Sequence, residues 1–237
     1  MKDEMQHVAA VSGRDYKAIT GAEMATRKPA PWIQTFTGQR FTFDPIDPHA
    51  INVEDIAHAL SRANRWAGHT AVPWTVAQHS ILVALLVPER HRREALFHDA
   101  SEAYLADVAA PVKAILPDYQ ALEKRLEHAI AIRFGLTFPL PDVVRFADWA
   151  VLQLERRTIA DWEGYPPRWD TDPPGGLEEV GLPAIPTAFA WAPQPQVKSG
   201  LFLALSGIQE PDLLTTARWM GVSEEWIEAA ALWGARW

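Results

Sequence analysis

Residues 76–87 decide the fold: Val76-Ala77-Gln78-His79-Ser80-Ile81-Leu82-Val83-Ala84-Leu85-Leu86-Val87. The run is apolar at nearly every helical turn, and its polar residues stand together near its start. A helix that is apolar on all sides lies inside a protein rather than on its surface. Pro88 follows and cannot continue the helix. The stretch therefore predicts a buried helix that ends at Val87.

Apolar stripes at helical spacing predict more helices on both sides of this one. The predicted helices run from the N-cap Asn52 to about Ala63, Glu89 to Leu105, Asp118 to Phe134, Pro141 to about Trp162, Lys198 to Ile208, and Pro211 to Trp237. Gly135 stands where a left-handed helix cap is expected. Aromatic and polar residues alternate around Gly38, so Trp32 to Pro48 predicts a hairpin or an extended segment. The predicted fold class is all-α.

Composition divides the chain into four segments. Residues 1–30 mix charges with small residues and are interpreted as an N-terminal extension, and residues 31–163 form the predicted helical core. Residues 164–197 are rich in proline and predict an irregular segment, parts of which pack on the core through Trp169, Phe189 and Trp191. Residues 198–237 form a helical extension rich in tryptophan. Its apolar stripe predicts packing against the domain or against another subunit.

Composition also excludes several classes of function. The 237 residues include no cysteine, which excludes disulfides, thiolate catalysis, zinc fingers and iron–sulfur clusters. A metal would have to be held by histidine and carboxylate. The net charge of −8 argues against stable binding of long nucleic acids. No run of about 18 apolar residues and no signal-peptide pattern occurs, so we expect a cytoplasmic protein that does not bind membranes.

His79, the pair His98-Asp99 and Asp148 are the candidate metal ligands. Each falls on a predicted helix, and His98 and Asp99 diverge by about 100° around theirs. Two imidazoles and two carboxylates suit Co, Mn, Zn or Fe better than calcium, which takes more oxygen ligands. The alternative is a satisfied core histidine beside a helix-capping aspartate. The apolar setting of the pair requires partners for both side chains, because unpartnered burial would be unfavourable, and either interpretation supplies them.

The order of these residues resembles the HD superfamily of metal-dependent phosphohydrolases, which chelate a metal with His, His-Asp and a later Asp. Further matches are Asn64-Arg65-Trp66, Val76-Ala77-Gln78-His79-Ser80, His98-Asp99-Ala100-Ser101-Glu102, Asp107 before Pro111-Val112-Lys113, and Ala147-Asp148. They are similar to the HD-type 5′-deoxynucleotidases and to phage dATP triphosphohydrolases. The resemblance covers about residues 32–162 and implies an HD-domain helical bundle.

The resemblance assigns roles to five further residues, each with an alternative. It implies that Glu102 orients or deprotonates water, although Glu102 could be a solvated surface carboxylate. Arg65 and Lys113 would bind phosphate oxygens, or both could lie on a loop without contacting substrate. Trp66 would lie beside the nucleobase, or else in the core. Asp107 would lie near the sugar and sense a missing 2′-hydroxyl, or it could cap the following loop.

The expected function is metal-dependent hydrolysis of a (deoxy)nucleotide phosphate. A dNTP triphosphohydrolase, with dATP as a candidate substrate, is favoured slightly over a 5′-deoxynucleotidase that acts on monophosphates. A catalytically silent nucleotide-binding protein is the third alternative. A divalent transition metal, with Mg as a candidate second ion, is the expected cofactor. A homo-oligomer is expected from the resemblance alone.

Overall fold

A computed structural model describes residues 30–159, 182–206 and 213–235. The predicted N-terminal extension up to residue 29, Trp169 and Trp237 lie outside the described residues. Contacts divide the chain into the units Met1–Pro31 and Trp32–Trp237. The strands and helices of the described residues all belong to the second unit.

The second unit is mostly helical, as predicted, with one small antiparallel sheet. The strands are β1 (Trp32–Gln34) and β2 (Arg40–Thr42). The helices are α1 (Val53–Leu60), α2 (Val76–Leu86), α3 (Arg92–Phe97), α4 (Glu102–Leu105), α5 (Ala110–Lys113), α6 (Pro117–Phe134), α7 (Asp142–Thr158), α8 (Thr187–Ala190), α9 (Gln194–Ser206), α10 (Leu213–Trp219) and α11 (Glu224–Gly234). Short 3-10 turns occupy Pro48–Ala50, Arg65–Gly68 and Glu89–His91. No helix in these described ranges is long and apolar enough to cross a membrane.

Helix α2 forms the centre of the unit. All eleven of its residues are buried, which confirms the predicted buried helix. It packs against α1, α3, α7, α9, α10 and α11. A capping box starts it, because Gln78 N–H donates to Thr75 Oγ1 and Thr75 N–H donates to Gln78 Oε1. Near its end, Gly234 permits close approach of α11: a Cβ there would lie 2.9 Å from the Leu86 carbonyl oxygen.

Local signals predicted the ends of two other helices. The side chain of Asn52 caps α1 by accepting a hydrogen bond from Glu54 N–H at 2.8 Å. Gly135 adopts the left-handed conformation at the end of α6, with φ of 64°. The predicted hairpin is also present, with Ile33 opposite Phe41. Asp55 of α1 holds its turn by accepting two hydrogen bonds from Thr37.

The prediction of one helix from Glu89 to Leu105 is wrong. The α-helix stops at Phe97, and hydrogen bonds between residues three apart carry the chain to α4. The Ala95 carbonyl oxygen, which a continuing α-helix would offer to Asp99 N–H, accepts the Nδ1–H of His98 at 2.7 Å. The tighter turn brings Asp99 and Glu102 nearly onto one face.

The C-terminal part of the unit differs from the sequence predictions in its boundaries. Helix α9 begins at Gln194, before the predicted start at Lys198, and the stretch from Pro211 forms two helices. Phe189 is buried as predicted, whereas Trp191 is largely exposed. Trp226 and Trp233 are buried among the other helices of the same chain.

Candidate metal centre

Three segments of the chain bring the predicted metal ligands together. His79 lies on the buried helix α2, His98 and Asp99 lie in the turn after α3, and Asp148 lies on α7. His79 Nε2 is 2.9 Å from Asp148 Oδ1 and 3.3 Å from His98 Nε2. Ligand atoms of His79, His98 and Asp148 all lie within 4.8 Å of one another. This group can hold a metal ion.

Asp99, the fourth predicted ligand, borders this group. Its Oδ2 lies 3.1 Å from His98 Nε2 and 3.8 Å from His79 Nε2. The same oxygen accepts a hydrogen bond from Arg65 Nη1 at 3.3 Å. Two ligand atoms that each lie about 2.1 Å from one ion are separated by roughly 3.0 to 3.4 Å at octahedral or tetrahedral angles. The distances from His98 Nε2 to His79 and Asp99 fit that spacing.

The outer nitrogen of each imidazole fixes which nitrogen faces the cluster. His98 Nδ1 donates to the Ala95 carbonyl, which can only accept, and His79 Nδ1 lies 2.6 Å from Glu155 Oε1. Burial opposes ionisation of Glu155, but Arg65 and His79 lower its pKa to about 2, so it also only accepts. When the rings are neutral, each therefore presents an Nε2 lone pair to the same point, beside two carboxylates. Lone pairs and negative charges this close together repel one another unless a cation lies between them.

Protons would compete with a metal ion for this point. Burial alone lowers the pKa of His98, but Asp99 and Asp148 raise it well above its usual value. Burial and Arg65 oppose protonation of His79, yet Glu155 and Asp148 raise its pKa as well. The two imidazoles in turn hold the pKa values of Asp99 and Asp148 below the usual range, against the effect of burial. In the absence of metal, protons supply the positive charge.

Glu155 was not predicted from the sequence. It is fully buried on α7, seven residues after Asp148, and is therefore almost two helical turns along the same face. Besides His79, it accepts hydrogen bonds from Arg65 Nε at 3.1 Å, Trp66 Nε1 at 3.0 Å and Trp74 Nε1 at 2.8 Å. The sequence feature that could have identified Glu155 is its position on the apolar face of α7, where a carboxylate needs buried partners.

A strained turn positions Arg65 and Trp66. Trp66 and Ala67 have φ of 59° and 50°, a conformation that is unfavourable for residues with a side chain by roughly 1–2 kcal/mol each. The turn is anchored where Arg65 N–H donates to the Trp74 carbonyl at 2.9 Å. The half-buried indole of Trp66 packs against the core and donates to Glu155, and its stacking on a base stays a prediction.

Glu102 is buried, so its interpretation as a solvated surface carboxylate is wrong. Lys113 Nζ lies 3.2 Å from Glu102 Oε1 and 2.6 Å from Glu123 Oε1. Oε2 of Glu102 is buried without a hydrogen-bond partner among the described residues. Burial, with Asp99 and Asp107 nearby, raises the pKa of Glu102 to about 9. At neutral pH the metal-free protein therefore holds a proton on this carboxyl.

Lys113 and Asp107 lie around Glu102. Lys113 ends the short helix α5 and so does not lie on a loop, because Pro111 favours the first turn of a helix. Burial lowers the pKa of Lys113, but Glu123 and Glu102 outweigh this effect and raise it. Asp107 is partly buried, and burial and Asp99 raise its pKa. Its proximity to a sugar stays a prediction.

A separate cleft of about 340 Å³ lies between the loop after α1 and the segment that joins α8 to α9. Asn64, Thr75 and Gln78 line one wall, and Trp191 and Gln194 line the other. Of the described residues that line it, none is a candidate metal ligand. The cleft thus lies outside the centre, although Asn64 and Gln78 directly precede Arg65 and His79.

Comparison with known proteins identifies relatives. The chain is 41% identical to the uncharacterized protein YfdR of Escherichia coli over 128 residues, which cover 54% of this chain and 72% of YfdR. It is 38% identical to the uncharacterized protein RCAP_rcc00048 of Rhodobacter capsulatus over 143 residues, which cover 54% of this chain and 73% of that protein. No protein-family model matches the chain.

Proposed function

We propose that this chain, which belongs to the same family as the uncharacterized protein YfdR, is a metal-dependent phosphohydrolase that acts on a deoxynucleotide. The observation that carries the proposal is the convergence of two imidazole Nε2 atoms and two carboxylates on one point. A divalent ion bound there supplies positive charge to a phosphoryl oxygen and makes water more acidic.

Arg65 is suited to bind the phosphate group. Its Nε and Nη1 are held by Glu155 and Asp99, whereas Nη2 has no hydrogen-bond partner among the described residues. The guanidinium thus lies beside the candidate centre with a further donor group available. The two N–H groups of Nη2 can donate to phosphate oxygens. We assign Arg65 to the non-bridging oxygens of the α-phosphate.

Glu102 is suited to move a proton. Its buried Oε2 has no partner within the described part of the chain, and its pKa of about 9 in the metal-free protein lets it hold a proton at neutral pH. Hydrolysis breaks the bond between the α-phosphorus and the 5′-oxygen and joins a water oxygen to the phosphorus. The 5′-oxygen then needs a proton, which Glu102 Oε2 can deliver, and the proton that the attacking water loses can restore the Glu102 carboxyl.

The favoured substrate is a deoxynucleoside triphosphate. Both candidate reactions break the same bond, and they differ in whether the β- and γ-phosphates are attached. Lys113 supports the triphosphate because it places a second cation next to Glu102, where additional phosphate charge would need one. The products would be nucleoside and tripolyphosphate, with dATP as the first candidate substrate.

Product analysis tests the proposal. The Mn²⁺- or Co²⁺-loaded protein is incubated with each dNTP, dNMP and NTP, and phosphate products are separated by ion chromatography. We expect tripolyphosphate and nucleoside from a dNTP. Orthophosphate from monophosphates alone would indicate a 5′-nucleotidase, and no release from any nucleotide would refute hydrolysis. His98→Gln, which lacks an imidazole of the centre, controls for contaminating phosphatases.

A further inference from the structure

Glu155 divides its hydrogen bonds between two functional groups. Its Oε1 accepts from His79 Nδ1 at 2.6 Å and Trp74 Nε1 at 2.8 Å. Its Oε2 accepts from Arg65 Nε at 3.1 Å and Trp66 Nε1 at 3.0 Å. One oxygen therefore faces the candidate metal ligand, and the other faces the residue assigned to phosphate.

We propose that Glu155 is a positioning residue that couples the metal centre to the phosphate-binding Arg65. The inference rests on the proposed function, because it assigns Arg65 to a phosphate group. Glu155 does not touch the reacting atoms. It acts by fixing the orientation of two side chains that do.

The metal side of the coupling acts through the tautomer of His79. A carboxylate at Nδ1 keeps the proton on that nitrogen, so the Nε2 lone pair points to the candidate ion. The ring cannot turn over without losing this bond inside a fully buried site. Losing such a carboxylate partner typically lowers metal affinity by about 10- to 100-fold.

The phosphate side acts through the guanidinium of Arg65. Glu155 Oε2 holds Nε, and Asp99 holds Nη1, so two points fix the plane of the group. This orientation leaves Nη2 for a phosphate oxygen. Without the bond to Nε, Arg65 would keep only its contact with Asp99 and could rotate about it.

Four donors around one side chain require a carboxylate. Asp and Glu offer two acceptor oxygens, whereas the amide of Gln offers one oxygen and an NH₂ group that only donates. In Glu155→Gln, the NH₂ group must face either His79 with Trp74 or Arg65 with Trp66. The variant therefore preserves the size of the side chain while it disrupts one of the two sides.

Binding measurements on Glu155→Gln test the coupling. Calorimetry gives the affinity of the metal-free protein for Mn²⁺ and the affinity of the Mn²⁺-saturated protein for inorganic phosphate. We expect a loss of affinity on the side that the NH₂ group faces: about 10- to 100-fold for Mn²⁺ if it faces His79, or about tenfold for phosphate if it faces Arg65. Wild-type affinities for both would overturn the inference.

Asp55→Asn is the matched control. Asp55 is also buried and accepts two hydrogen bonds, but its partner is Thr37 in the hairpin turn. Asp55→Asn should leave the affinities for Mn²⁺ and phosphate within about twofold of wild type, because a general loss of buried hydrogen bonds lowers stability and not the affinity for these ligands. An equal loss of affinity in both variants would also overturn the inference.

A measurement on the wild-type protein covers the case in which Glu155→Gln does not fold. Histidine ¹⁵N spectra of the Zn²⁺-loaded protein should show His79 with a proton on Nδ1, and a proton on Nε2 would refute the arrangement. These binding experiments can also fail or succeed independently of the proposed hydrolysis. Weaker Mn²⁺ or phosphate binding in the variant, without turnover in wild type, would reject hydrolysis and retain the positioning role of Glu155.

Discussion

Glu102→Gln should increase stability and decrease turnover. Glu102 is buried, with one oxygen 3.2 Å from Lys113 Nζ and the other without a partner among the described residues. Gln has nearly the same shape and can still accept from Lys113, but it cannot ionise or release a proton. The substitution therefore isolates the charge of this carboxyl.

The expected change in stability depends on the pKa of Glu102. Burial, Asp99 and Asp107 raise this pKa from 4.5 to about 9 in the folded, metal-free protein. The folded state therefore binds this proton more tightly than the unfolded state does. Its stabilising contribution is complete below pH 4.5 and is lost as the pH rises from 4.5 to about 9.

At 1.36 kcal/mol per pH unit, the loss reaches about 3 kcal/mol at pH 7. Gln avoids this loss. Metal-free Glu102→Gln should therefore be more stable than wild type by up to about 3 kcal/mol at pH 7 and equally stable near pH 4.5. Denaturant unfolding at both pH values measures this difference. Glu123→Gln removes the other carboxylate on Lys113 and should give no such gain.

Turnover should fall by about two to four powers of ten while Mn²⁺ stays bound, which is the usual effect of a lost proton donor or acceptor. The assay is product release by the Mn²⁺-loaded protein under saturating substrate. An unchanged rate would remove Glu102 from the mechanism. An unchanged free energy of unfolding at pH 7 would refute the raised pKa.

Three other predictions concern the centre. His98→Ala and Asp99→Ala should each lose the bound metal and activity, and full metal content by mass spectrometry in both would refute the ligand assignment. Arg65→Lys should raise KM about tenfold or more and change metal content little, because an ammonium cannot replace the fixed guanidinium fork; an unchanged KM would contradict the phosphate role. Mn²⁺ affinity should increase from pH 6 to 8, because the metal displaces protons from His79 and His98. The free energy of unfolding of the metal-free protein should instead decrease as the pH rises above 6.5 through the raised pKa values of these two residues, because the folded state then loses its tightly bound protons. Calorimetry at each pH measures the first trend, and denaturant unfolding at each pH measures the second.

Features set by nearby residues were predictable from the sequence. The unbroken apolar run after Gln78 predicted the burial of α2, and Asn52 and Gly135 predicted helix ends through local cap chemistry. The ligands His79, His98 and Asp148 also came together as the motif order suggested. Asp107 and Trp66 keep roles that no contact in the described residues tests.

Features set by distant contacts were not predictable. The chain leaves the α-helix after Phe97 although Ala95 to Ala100 has a good helical composition, because the ring of His98 bonds to a backbone carbonyl. Glu155 meets His79 across 76 positions, and its neighbours in sequence indicate only an amphipathic helix. The burial of Glu102 likewise depends on how α4 packs against α1.

The graded exposure of the four candidate ligands has a kinetic consequence. Side-chain exposure rises from 0% for His79 and 4% for His98 to 21% for Asp99 and 42% for Asp148. Neighbouring helices enclose α2, so within the described part of the chain an ion reaches the centre past Asp148. Changes around Asp148 on α7 should therefore set how fast an ion is exchanged, and changes behind α2 should set how tightly it is held. The rate at which a chelator removes the metal would then depend on the surface of the protein, while the metal content at equilibrium would depend on the protein core.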